Sequence, residues 1–298
     1  MSDDEITSEH TCARVGQVLA EIEALRLETG RTRDARVPMQ VRDASPREVF
    51  YHARTVHRKA DQLVVELGGE SVAAPDAEIR ARARPADVLK VLDSARARLA
   101  EARRRLRIEG DTSVPELPGP LIRDAGKTAT DVLNGCLLAS RQLNTMLAHA
   151  FASAEAHELL VRAESLCAGL LAQHGLEMPP TPAFERRKFP REVFEELWQA
   201  CEMLQQVVHD SKLSALQLDR GFVGELPTDV YDIASLIVSE LEYLASFLRQ
   251  PAIPRAQAAP LPRVLPAHNF QRARRLRVGI ALLAGAVRGR PDWLQEAG

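Results

Sequence analysis

Apolar residues recur at helical spacing in stretches that open on one short signal and close near glycine or proline. One stretch carries Val49, Ala53, Val56, Ala60, Leu63 and Leu67 and stops at Gly68-Gly69. The next carries Val88, Val91, Leu92, Ala95, Leu99, Ala102 and Leu106 and stops near Gly110. Two later stretches match them: Val193, Leu197, Ala200, Leu204 and Val208, then Val230, Ile233, Ile237, Leu241, Leu244 and Leu248. Further stripes open each half, with Val15, Leu19, Ile22 and Leu25 in the first and Leu159, Ala163, Leu166 and Leu170 in the second.

The opening signal is Pro-x-acid-Val followed by an aromatic residue or Leu. Pro46-Arg47-Glu48-Val49-Phe50 returns as Pro190-Arg191-Glu192-Val193-Phe194, 144 residues later. Pro85-Ala86-Asp87-Val88-Leu89 returns as Pro227-Thr228-Asp229-Val230-Tyr231, 142 residues later. Weaker forms stand at Thr128 to Leu133 and at Pro266 to Phe270. Proline suits the first helical position, since it has no N–H to leave unpaired and its φ is already helical. The acid two residues on faces the positive end of the helix dipole, worth about 0.3–1 kcal/mol. Ser45 with Glu48 also fits a capping box. Helix capping accounts for every residue of the signal, so it is read as structural rather than as a binding signature.

Two signals repeating at nearly one offset imply an internal duplication. The expected fold is all-α: two tandem, duplicated antiparallel four-helix units, the first over 1–150 and the second over 151–298. Proline-rich segments, from Val114 and from Pro251, precede the fourth helix of each half. Four amphipathic helices per unit favour a bundle over a continuous solenoid.

Composition agrees: 45% hydrophobic and 27% charged residues, with Leu, Ala and Arg abundant, suit helical globular units and argue against disorder. The acidic, polar start predicts no signal peptide, and the uncharged apolar run from Val278 to Val287 is too short for a bilayer. Four cysteines without CxxC spacing read as buried thiols in a reduced, cytoplasmic protein.

Motifs that carry chemistry are absent or broken. Gly126-Lys127-Thr128 lacks the earlier P-loop glycine, since position 121 is Leu. No Glu-x-x-His pair offers a bundle metal site, and neither a metal nor another cofactor is expected. Antiparallel packing would bring Cys167 towards His209, an incomplete pair of ligands. His57-Arg58-Lys59-Ala60 loosely matches a phosphorylatable histidine motif, with its Lys one position early and Ala in place of Gly.

Charge is segregated. From Arg80 to Arg107 ten basic residues face three acids; from Pro251 to Arg290 eight arginines face none; from Glu192 to Glu242 eleven acids face two basic residues. Because the net charge is only −2, mutual compensation is the plain reading, basic helices of one unit meeting acidic helices of the other or of a second subunit. The expected function is a non-enzymatic scaffold or adaptor that binds macromolecules through charged helix faces. Its candidate partner face comprises Arg103, Arg104, Arg105, Arg272, Arg274, Arg275 and Arg277. A protein partner or self-association fits best; nucleic acid is disfavoured, because the basic segments lack aromatics for stacking. The alternative is a small-ligand sensor or a histidine-phosphotransfer bundle, which needs an apolar cavity or an exposed His57.

Overall fold

A computed structural model describes residues 5–77, 80–106, 124–148, 153–219, 221–248 and 263–296. Most of the proline-rich segments and the junction at 149–152 lie outside these residues. The protein is predominantly helical and divides into two compact units, Met1–Ala150 and Phe151–Gly298.

The first unit contains α1 (Ser8–Glu28), α2 (Pro46–Glu66), α3 (Pro85–Leu106) and α4 (Ala129–Asn144), with a two-residue strand at Val41–Arg42. Helix α1 packs on α3 and α4, and α2 packs on the same two, so α1 and α2 face each other diagonally. The core is aliphatic: Val18, Leu25, Val56, Leu92, Leu99, Leu133 and Leu137 are fully buried. Large apolar side chains of this kind supply about 1.5–3 kcal/mol each when withdrawn from water.

The second unit contains α5 (Ser153–Ala172), α6 (Pro190–Asp210), α7 (Pro227–Ala245) and α8 (Pro266–Val287), with a two-residue strand at Gln217–Leu218 and a terminal turn, α9 (Trp293–Glu296). Here α5 packs on α7 and α8, and α6 packs on the same two. Buried Trp293 anchors the end of the unit, donating its indole N–H to Ser211 Oγ at 2.8 Å.

Within each unit the helices run parallel, which corrects the antiparallel expectation. In the first unit, contacts advance in step along both members of each pair. Arg14 meets Asp93, Glu21 meets Arg96 and Glu28 meets Arg103 between α1 and α3. His57 meets Ser94 and Asp61 meets Arg98 between α2 and α3. Lys59 meets Ser140 between α2 and α4, while Glu9 near the start of α1 accepts from Gly126 just before α4. In the second unit Ser153, Pro190, Pro227 and Pro266, the first residues of all four helices, line one small dimple.

Connection length permits this arrangement. The segments joining successive helices within a unit have 16 to 22 residues. A helix of 20 residues is about 30 Å long, whereas 16 extended residues reach roughly 50 Å, enough to return the chain to the starting end. Short loops would have forced antiparallel neighbours; these are not short.

Parallel packing also explains the repeated helix-start signal. Four positive dipole ends gather at one end of each unit, and each needs an acceptor there. Glu48 Oε2 accepts from both Ser45 N–H and Oγ–H at 2.6 Å. Asp87, Asp131, Glu192 and Asp229 accept from the backbone N–H of Arg84, Thr128, Phe189 and Leu226. At α1 and α8 a histidine replaces the acid, His10 and His268 each accepting a backbone N–H through Nδ1. At the opposite end, Arg103, Arg104 and Arg105 occupy the last turn of α3, where cations offset the negative dipole end.

Candidate functional site

A groove of about 540 Å³ lies along α6. Its volume falls within the range of ordinary ligand sites, roughly 300–1,000 Å³. One wall is the helical stripe Arg191, Phe194, Glu195, Trp198 and Glu202; the other is the loop Gly221-Phe222-Val223-Gly224. Spacings of three and four residues place the α6 side chains on one face. The floor is aromatic: Phe194 lies 5.8 Å from Trp198 and 5.6 Å from Phe222, centroid to centroid. Carboxylates rim it, with Glu195 paired to Arg191 at 3.1 Å and exposed Glu202 making no such pair among the described residues.

The loop glycines are required by geometry. Gly221 has φ +119, in the region that side chains rarely enter. A β-carbon on Gly224 would stand 2.3 Å from the Phe194 ring, so only glycine lets the loop lie against it. The chemistry of the groove is that of an aromatic surface with acidic edges, which attracts a cation through ring quadrupoles and direct charge.

The arginines expected to form a partner face have partners inside their own units. Buried Arg103 holds Glu28 on α1 at 2.6 Å. Arg104 and Arg105 pair with Glu101 on their own helix and sit nearer solvent. Arg272 Nη1 reaches Glu164 Oε2 at 2.5 Å, and its Nε–H donates to His157 Nε2 at 3.2 Å. Arg275 donates to the Pro179 carbonyl and lies 3.7 Å from Glu164. Arg277 pairs with Glu196 on α6 at 2.6 Å, and Arg274 with Glu185 at 2.6 Å. Much of the charge segregation read from the chain is therefore balanced between neighbouring helices of one bundle.

Around Glu164 these contacts form a polar ladder between α5 and α8. Asn269 Nδ2 donates to the Ser153 carbonyl, and its Oδ1 accepts from His157 Nδ1–H. His157 accepts from Arg272 at its other nitrogen, the neutral tautomer. Burial lowers the His157 pKa against the opposing effect of the Asn269 bond. Burial raises the Glu164 pKa, and the two guanidinium groups oppose that rise.

Other candidates find structural settings. His57 is buried at 1% exposure and bonds Ser94 Oγ at 3.0 Å, so it lacks the exposure that a phosphodonor requires. Lys127 pairs with Asp131, while Thr128 caps α4. Cys167 is buried and His209 largely exposed, so the two are not brought together, and no group of three His, Cys, Asp or Glu side chains suits a metal among the described residues. Burial pushes the Cys12 thiol up to about 11, and Cys136 and Cys167 to about 12. Burial also raises Cys201, so all four stay protonated near neutrality and lack thiolate reactivity. No described helix is long and apolar enough to cross a membrane.

Sequence reasoning missed the α6 groove. Phe194 and Trp198 at i and i+4, followed by Gly221-Phe222-Val223-Gly224, were the available signal. Without the fold nothing brings that loop back over that helix face. No protein-family model, curated protein or solved structure matches the chain.

Proposed function

We propose that this chain is a duplicated helical scaffold, non-catalytic, whose second unit binds a partner protein through the groove on α6. The duplication is supported by the two helix-start signals at offsets of 144 and 142 residues. Further support is the shared packing scheme, in which the first and second helices of each unit both contact the third and fourth.

The observation that carries the binding reading is the Phe194, Trp198 and Phe222 cluster rimmed by Glu195 and Glu202. It suits a Lys or Arg side chain of the partner, held over the rings and met by carboxylates. At the equivalent α2 positions, 144 residues earlier, stand Tyr51, Arg54 and Arg58. Arg54 lies 5.7 Å over the Phe50 ring and bonds the Pro75 carbonyl, so the first unit fills the matching place with its own cation.

The test is a panel of fluorophore-labelled peptides differing only in Lys/Arg or Glu content, titrated with the full chain while peptide anisotropy is read. Basic peptides are expected to bind, with Trp198→Ala and Glu202→Gln each weakening binding about tenfold or more. Absence of charge preference, or binding that survives Trp198→Ala, sinks the groove reading. Binding that is instead lost in Arg104→Glu or Arg274→Glu would move the site to the arginine faces.

A further inference from the structure

The helix-start end of the second unit differs from that of the first in one chemical respect. The residues preceding α1, α2 and α4 are Thr7, Ser45 and Thr128, ordinary polar caps. Those preceding α6, α7 and α8 are Phe189, Leu226 and Leu265. An apolar residue in place of a Ser or Thr cap gives up the side-chain acceptor at each start. Phe189 is also 68% exposed, and Leu265 41%.

Two further apolar side chains share this end. Phe184, 44% exposed, stacks 5.0 Å from His268, whose Nδ1 accepts the Leu265 N–H. Val223, 51% exposed, lies in the loop against the start of α6. The dimple among Pro190, Pro227 and Pro266 is only about 10 Å³, too small to seat a side chain, and Phe184, Phe189 and Leu265 are exposed on the end surface around it.

The charges around them are one-sided once internal pairs are removed. Lys188 pairs with Glu185 and Glu192, Arg191 with Glu195, and Arg274 with Glu185. Arg186, Arg187 and Arg263 are exposed and have no ion-pair partner among the described residues, with Glu225 the exposed acid at the rim. Arg187 adopts φ +61, an uncommon conformation for a residue with a side chain, which fixes the bend between Phe184 and Phe189.

We propose that this end of the second unit docks on an anionic lipid surface. Exposed Phe and Leu enter the headgroup region, and the three exposed arginines meet lipid phosphates. A fluid bilayer accepts separate protruding apolar groups without a matching cleft, which a folded acidic protein or a peptide would need. This surface adjoins the α6 groove and shares Val223 with it, but Phe189, Leu265 and the arginines lie outside the groove, so the proposal stands without the peptide-binding reading.

The test is co-sedimentation of the full chain with vesicles of phosphatidylcholine alone or containing phosphatidylglycerol. Binding is expected only with the anionic vesicles, weakening as salt rises. Arg186→Glu with Arg187→Glu should weaken it at least about tenfold. Phe189→Ser with Leu265→Ser should weaken it similarly while leaving the melting temperature unchanged or higher, because both substitutions restore polar caps. That second variant separates lost docking from lost folding. Wild-type protein left in the supernatant, equal binding to neutral vesicles, preference for a soluble acidic peptide over vesicles, or variants that bind like wild type would each overturn the proposal.

Discussion

Arg272 Nη1 stands 2.5 Å from Glu164 Oε2, and Glu164 is 7% exposed. This pair lies between α5 and α8, and the arginine is one of those that sequence analysis placed on a partner face. Its first consequence is mechanical. Arg272→Glu would leave two carboxylates facing each other with Glu164 buried, a loss of about 3–5 kcal/mol. Arg104→Glu, at a side chain 69% exposed, should change stability by no more than about 1 kcal/mol. Denaturant unfolding of the two variants checks the contrast; equal stabilities would show that Arg272 carries no structural load.

Gly224→Ala tests the groove wall. The added carbon would collide with the Phe194 ring, so either the loop withdraws or the ring turns. A destabilisation of about 1–3 kcal/mol is expected, as for overpacking elsewhere. A shift in Trp198 emission should accompany it, because Trp198 stacks on the same ring. An unchanged melt and spectrum would contradict the close approach.

His52 predicts a pH dependence. It is fully buried, neither ring nitrogen has a hydrogen-bond partner among the described residues, and burial, with the Lys59 ammonium second, lowers its pKa to about 3. The unfolded chain takes up this proton below the ordinary value of 6.5, whereas the folded chain resists it. Stability from this residue is therefore complete above pH 6.5 and falls as pH drops from 6.5 towards 3, by about 1.4 kcal/mol per unit. Burial also lowers His57, His157 and His174, which add to the slope. His52→Leu should make the acid limb shallower by one proton in urea melts run from pH 7 to pH 4. An identical slope in the variant would rule this origin out.

The capping acids should be unequal in worth. At α4 the Thr128 hydroxyl shares the helix start with Asp131. At α7 the Leu226 cap offers no such group, and Asp229 accepts from the N–H of both Glu225 and Leu226 at 3.0 Å. Asp229→Asn is accordingly expected to cost about 1 kcal/mol and more than Asp131→Asn. Thermal melts of the two variants decide the order, and the reverse order would mean the dipole argument is misplaced.

Helix starts, helix stripes and the all-helical class were legible in the sequence because they depend on local interactions. Proline at the first position, an acid at the third and apolar residues every three or four are read within one or two turns. Helix direction was not legible: the connections are long enough for either sense, and only the stepwise contacts of Arg14, Glu21 and Glu28 along α3 decide it. The arginine clusters were visible as charge, but their partners, Glu28, Glu164 and Glu196, lie on helices distant in sequence. The α6 groove depends on a loop folding back across Phe194. Local propensity fixed the elements of this protein, while the long-range closure of its connections fixed which faces meet and which charges pair within each unit.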